Sequence, residues 1–246
     1  MSARATHRSL LLWALIGCAA VSGARADQEP APDARDRLRY LVQQQCVPHW
    51  LHDHDPAPCA SVGAGFALLP DRKGGAHFLL IPTATIRGIE SPEARSAGAP
   101  NYFDAAWSAR AALAGRIGHP LPRAAVALAV NSIRSRSQDQ LHIHLSCLRA
   151  DVARALAGAA EALGPQWGPL ELDGRSYLAM RLMGESLGVA NPFRLLAGNL
   201  DDADKSMEDF TLLLAGFDFQ EGPGFVLLAG HAVPGAELML DPLCAN

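Results

Sequence analysis

The run from Leu141 to Cys147 is the tightest constraint in this chain. Leu141, Ile143, Leu145 and Cys147 fall on one parity, and His142, His144 and Ser146 on the other. A β-strand sends successive side chains to opposite faces, so the apolar set enters a core. The two imidazoles and the hydroxyl then leave the other face together. Along that face the rings stand roughly 6.5–7 Å apart. Two histidines aligned on one strand face are seldom needed for folding, which makes this face the candidate site. The full stretch, Asn131 to Leu148, reads NSIRSRSQDQLHIHLSCL.

The chain must supply a body around that strand. Its 246 residues suffice for one large domain or two small ones, and 49% apolar with 19% charged residues describes a globular core. The formal charge of −4 argues against nucleic acid as a partner, which calls for a basic surface. Oligomeric state has no signal here.

The N-terminus reads as an export signal. Arg4, His7 and Arg8 precede a mostly apolar Leu10 to Val21, and Ala24-Arg25-Ala26 stands before Asp27. Cleavage after Ala26, lipidation at Cys18 in Leu15-Ile16-Gly17-Cys18, and retention as an anchor are the three routes open. The expected organisation is a signal or anchor over 1–26, a polar tether over 27–35 and a single domain over 36–246. Export places Cys46, Cys59, Cys147 and Cys244 where disulfides form. The favoured pairing is Cys46–Cys59 around a proline-rich loop and Cys147–Cys244 tying the tail to the core. A buried thiol at Cys147 is the alternative.

Asp36 to Gln45 reads as a short helix entering the Cys46 loop, which carries His49, His52 and His54. Phe66–Leu69 and His77–Ile81 read as strands joined by a turn over Asp71 to Gly75. Asn101 to Arg116 is expected as one capped helix with Tyr102, Phe103, Ala106, Trp107, Leu113 and Ala114 on one face. Ala124–Val130 feeds the Asn131 loop as the partner strand of a hairpin. Asp151 to Leu163 is expected as a helix capped by Asp151, Tyr177–Met183 as a strand, and Asn191-Pro192 as a helix start. Phe210–Phe217 and Phe225–Ala229 close as a hairpin. Mixed strands and helices with antiparallel connections indicate an α+β fold, mostly antiparallel sheet flanked by helices.

Three chemistries suit the histidine face. A neutral imidazole can attack phosphorus, form a phosphoramidate and release it to water, provided its other nitrogen is held in one tautomer. Arg134 and Arg136 can clamp phosphate oxygens, and Ser132, Ser135, Ser137 and Gln138 add neutral donors. Alternatively His142 and His144 are two zinc ligands, completed by the His52/His54 loop or His231. In the third reading they are half-buried sheet residues with bonded nitrogens.

Asn131, Gln138 and His142-Ile143-His144-Leu145 resemble the signature of the histidine-triad superfamily, with Ser146 where a third histidine would stand. Asn131-Ser132, Arg136-Ser137-Gln138 and His142 to Cys147 resemble one branch closely, the bacterial CDP-diacylglycerol pyrophosphatase family. The likeness includes the Cys46 and Cys59 pair, Ile81-Pro82-Thr83, Gly88 to Pro92 and Asn101 to Trp107, and runs from about Leu38 to Cys244.

The resemblance implies a histidine-triad-like domain that hydrolyses CDP-diacylglycerol to CMP and phosphatidate. It places the protein in phospholipid metabolism, on the periplasmic face of the inner membrane, with no metal and no cofactor. His144 becomes the nucleophile and His142 orients it or shares its proton. Asn131, Ser132, Ser137 and Gln138 hold the nucleotide or its phosphate, Arg136 neutralises charge and Ser146 donates to phosphate. Rival readings are hydrolysis of a soluble nucleotide, such as a nucleotide sugar, and a non-catalytic module that binds nucleotide or phospholipid.

Overall fold

The computed structural model describes residues 32–72 and 74–245. The expected export signal, with Cys18, lies outside the described residues. Among the described residues no helix is long and apolar enough to cross a membrane.

One ten-stranded antiparallel sheet organises the molecule. Its strands are β1 (Ser61–Gly63), β2 (Phe66–Pro70), β3 (Phe78–Pro82), β4 (Val126–Val130) and β5 (Ile143–Leu148), then β6 (Gly168–Leu172), β7 (Arg175–Met183), β8 (Phe210–Phe219), β9 (Gly222–His231) and β10 (Leu240–Asp241). The order across the sheet is β1-β2-β3-β5-β4-β8-β9-β7-β6, and β10 also pairs with β5. β3 pairs with residues 143–145 of β5 and β10 with 147–148. The histidine strand is therefore central, and on one side its neighbour changes partway along.

Each face of the sheet carries a core, as the parity of β5 requires. Leu141, Ile143 and Leu145 join Phe78, Leu80, Leu128, Leu212, Leu227 and the helix residues Phe103, Trp107 and Phe193 on the first face. Trp107 meets Phe225 edge-on, and Phe103 meets Phe193 likewise. Burying such a side chain stabilises the fold by about 1.5–3 kcal/mol. The second face carries two separate clusters. Ala127, Ala129, Leu213, Val226 and Leu228 pack on Val152 and Leu156 of the helix Ala150–Ala159. Ala67, Leu69, Leu79 and Ile81 pack under Val42 and Cys46 of the N-terminal helices. His144 pairs with Leu79 on one side and Ala129 on the other, so it lies at the seam between the two clusters.

The structure departs from the sequence expectation at several elements. The N-terminal helix does not stop before Cys46: Arg37–Leu41 runs through a wider π stretch, Val42–Cys46, into Val47–Asp53. Pro48 has no N–H to give the helix, and the wider turn stands where that bond is missing. His49, His52 and His54 are therefore exposed on a helix and its left-handed cap rather than in a loop. The expected helix over Asn101–Arg116 is two, Tyr102–Ser108 and Ala111–Ile117, and both Trp107 and Leu113 still reach the core. Asn101 caps the first through Asp104 N–H as expected. Asp151 is not the cap of its helix; Arg149 holds that position without a side-chain cap bond. Asn191 caps Pro192–Ala197, accepting from Phe193 and Arg194 N–H. Both favoured disulfides are present, Cys46–Cys59 and Cys147–Cys244.

Candidate active site

The register that sets Leu79 opposite His144 and Phe78 opposite Leu145 brings His77, one residue on, beside Ser146. A third imidazole thus reaches the site from the neighbouring strand. His77 Nε2 lies 3.0 Å from His144 Nδ1, with the rings stacked at 5.2 Å. On the far side, His77 Nδ1 lies 3.2 Å from Asp71 Oδ2, and His144 Nε2 lies 3.2 Å from Glu237 Oε2. A row of carboxylate, imidazole, imidazole and carboxylate results, with both rings buried.

His142 stands edge-on to His144 at 4.9 Å between ring centres. Its Nδ1 is 2.7 Å from the Gln140 carbonyl. A carbonyl only accepts, so Nδ1 carries the proton and Nε2 the lone pair. Burial pushes the imidazole below its ordinary pKa of 6.5, outweighing the Gln140 bond and the Glu237 charge. The ring is neutral at pH 7.

Ser146, expected to donate to phosphate, does not line the histidine cleft. It is fully buried, and its hydroxyl donates to the carbonyls of Ala76 at 2.7 Å and Asp241 at 3.2 Å. It fastens the chain before β3 and strand β10 to β5, at the point where one neighbour gives way to the other.

His142 and His144 line a cleft of about 810 Å³. Its polar wall includes Asn131, Ser135, Ser137 and Glu237, and its apolar wall Leu38, Leu41, Leu69 and Leu79. Two exposed guanidinium groups, Arg37 and Arg72, also line it. Neither is evident from sequence, because they reach the histidines only through folding. His77, Asp71 and Glu237 escape detection for the same reason. The one signal for His77 is that it shares the inward parity of Leu79 and Ile81.

The Asn131–Gln138 loop is assigned differently from the sequence expectation. Arg136 does not face the cleft: its buried guanidinium is bidentate to Glu90 at 2.6 and 2.8 Å and also reaches Asp139 at 3.2 Å. Gly88 lets it lie there, since a Cβ at that position would overlap it. Asp139 in turn is held at about 2, first by the hydrogen bond from Arg35. Arg35, placed in the tether by sequence, is thus bound to this loop. Gln138 lines the cleft, but its amide is committed to Leu38 N–H and the Ala34 and Ser137 carbonyls. Ser132 is buried, with its hydroxyl 3.5 Å from that of Ser135. Ser137 is exposed on the cleft. Asn131 lines the cleft and accepts from Glu237 N–H at 3.3 Å, so it steadies the turn that carries Glu237. Gly235 allows this approach, because a Cβ there would strike the Asn131 side chain. Arg134 pairs at the surface with Asp209.

The metal ligands considered from sequence are not gathered. His52, His54 and His231 are exposed, and none lines the histidine cleft. Among the described residues the group able to hold a metal is Asp71, His77 and His144, with one potential ligand atom each within 4.8 Å of the others. Two imidazoles and a carboxylate suit zinc. Here the same atoms contact one another.

The fold and the cleft together define an antiparallel α+β protein with a histidine-centred site. The chain belongs to the CDP-diacylglycerol pyrophosphatase family, whose sequence model matches residues 33–245. It is 42% identical over 201 residues to a CDP-diacylglycerol pyrophosphatase of Yersinia pestis, covering 80% of this chain and 77% of that one.

Proposed function

We propose that this protein hydrolyses CDP-diacylglycerol to CMP and phosphatidate, with His144 as nucleophile. The observation that carries the reading is the His144 ring itself: Nδ1 is engaged by His77, and the ring lines a cleft that also holds Arg37 and Arg72. Family membership supplies the substrate. The Nε2 lone pair of His144 attacks the phosphorus on the cytidine side. The bond to the bridging oxygen breaks, and phosphatidate leaves as a phosphomonoester that needs little acid help. Water then attacks the same phosphorus, the nitrogen–phosphorus bond breaks and CMP departs. His142, neutral with its lone pair on Nε2, takes the water proton. Glu237 lies on the Nε2 side, so the anionic substrate displaces it. Arg37 and Arg72 neutralise the diphosphate.

The mixed wall of the cleft suits a molecule that joins a charged diphosphate to an apolar glycerolipid. We place the reaction at the periplasmic face of the inner membrane, reached through the export signal. A histidine-triad-like fold fits the strand-borne histidines. The test is CMP release by wild type and by His144→Ala, from CDP-diacylglycerol in mixed micelles and from CDP-choline. Release from the liponucleotide, lost in the variant, supports the reading. Equal turnover of CDP-choline moves it to a soluble nucleotide, and turnover surviving in His144→Ala removes His144 as nucleophile. The intact mass of the exported protein distinguishes cleavage at Ala26 from lipidation at Cys18.

A further inference from the structure

The structure assigns Asp71 and His77 as positioning residues that fix the tautomer of His144; the assignment rests on His144 being the nucleophile. A carboxylate accepts hydrogen bonds, so Asp71 Oδ2, 3.2 Å from His77 Nδ1, places the His77 proton on Nδ1. Neutral His77 then presents a lone pair at Nε2. His144 Nδ1 lies 3.0 Å from that lone pair and must carry a proton to meet it. In the free protein Glu237 Oε2 stands 3.2 Å from His144 Nε2 and competes for the His144 proton at that end of the row. Once the substrate displaces Glu237, Asp71 and His77 alone decide: the proton stays on Nδ1 and the lone pair on Nε2, the nitrogen that must attack. A nucleophilic imidazole in the other tautomer is inert at that position.

Sequence gives this orienting task to His142, but the His142 Nδ1 proton goes to the Gln140 carbonyl. His77 is buried, 4% exposed, in the residue just before β3, where the β3–β5 register continues towards Ser146. The third imidazole, missing from β5, is thereby replaced from the adjacent strand. Ser146 supports it from below by binding the carbonyl of Ala76, the residue before His77. Asp71 sits in the turn between β2 and β3, where Asp71 N–H donates to the His77 carbonyl at 3.0 Å. One short hairpin therefore holds both members of the pair.

The test is a double-mutant cycle with a spectroscopic readout. Asp71→Asn can donate its amide N–H to His77 Nδ1. That moves the His77 proton to Nε2 and forces His144 into the wrong tautomer. The expected result is a fall in kcat of roughly 100-fold with KM nearly unchanged. His77→Gln keeps a neutral acceptor, its amide oxygen, for the His144 Nδ1 proton and retains kcat within roughly tenfold. In the His77→Gln background, Asp71→Asn costs nothing further, because no second ring remains to orient. Nitrogen-15 NMR of His144, recorded above its titration and without substrate in Glu237→Ala, where no carboxylate stands at Nε2, is expected to find the proton on Nδ1, and on Nε2 when Asp71→Asn is added. A His144 proton on Nε2 in Glu237→Ala overturns the assignment, as does full kcat in Asp71→Asn. The spectrum is independent of turnover. Failure of the tautomer assignment is therefore distinct from failure of the proposed reaction, which shows as activity persisting in His144→Ala.

Discussion

Charge at this site is divided between cations that hold the loop and cations that face the cleft. Arg136 is almost wholly buried between Glu90 and Asp139. Arg136→Gln leaves Glu90 without its partner, and breaking a buried pair in this way costs about 3–5 kcal/mol. Chemical denaturation is expected to show that loss. Arg37→Gln and Arg72→Gln leave stability near wild type and raise KM for CDP-diacylglycerol by roughly tenfold each, the loss of ~1.4 kcal/mol in one charge-assisted contact. Unchanged KM in both variants would mean that the diphosphate binds elsewhere. His142 gives a pH signature. Its folded pKa lies below the 6.5 of the free side chain, because burial disfavours the charged ring. Below that value the unfolded chain takes up a proton that the folded protein resists. Its contribution to stability is therefore full above 6.5 and is lost as pH falls through and below it. Between about pH 7 and about pH 5, wild type should lose more stability than His142→Asn, measured by urea unfolding at each pH. Parallel profiles would contradict this.

At the scale of elements, what was legible in sequence was what depends on neighbours along the chain. The parity of Leu141 to Cys147 places Leu141, Ile143 and Leu145 in one core and the histidines on the opposite face. The Asn101 and Asn191 caps follow from local hydrogen bonding. Short or sparsely apolar strands were missed. β1 and β6 pair with the very next strand across a tight turn but are too short and too polar to show a period of two. β10 is a two-residue strand whose partner β5 lies far back in the chain. Half of the site was missed for a similar reason. Arg37, the hairpin that carries Asp71 and His77, and Glu237 come from three separate segments, and register alone brings His77 beside Ser146. In the Asn131–Gln138 loop, residue types pointed to phosphate, but Arg136 and Gln138 found partners within the protein. The Cys147–Cys244 bond fastens the C-terminal segment to β5, with β10 and the Asp241 carbonyl beside it. Its partners are 97 residues apart, and loop entropy gives such a bond about 4–5 kcal/mol. Cys147→Ser with Cys244→Ser is expected to lower the thermal midpoint more than Cys46→Ser with Cys59→Ser, which opens a separation of 13 residues. The reverse order would contradict the account.

Across the whole molecule, the fold is one sheet with a full core on the first face and a divided one on the second. The division creates the seam where His144 lies, and the N-terminal helices, the Asp71 hairpin and the Glu237 turn close around it. Catalysis through a covalent histidine needs no metal to activate water or polarise phosphorus. Prolonged treatment with a strong chelator is therefore expected to leave CMP release unchanged. Loss restored by added zinc would point to Asp71, His77 and His144 as ligands. The most direct measurement is mass spectrometry of the enzyme quenched without acid during turnover of CDP-diacylglycerol. One cytidylyl group on a peptide containing His144, absent from His144→Ala, is the expected result. Sustained turnover with no adduct on that peptide, or an adduct on another residue, would contradict it.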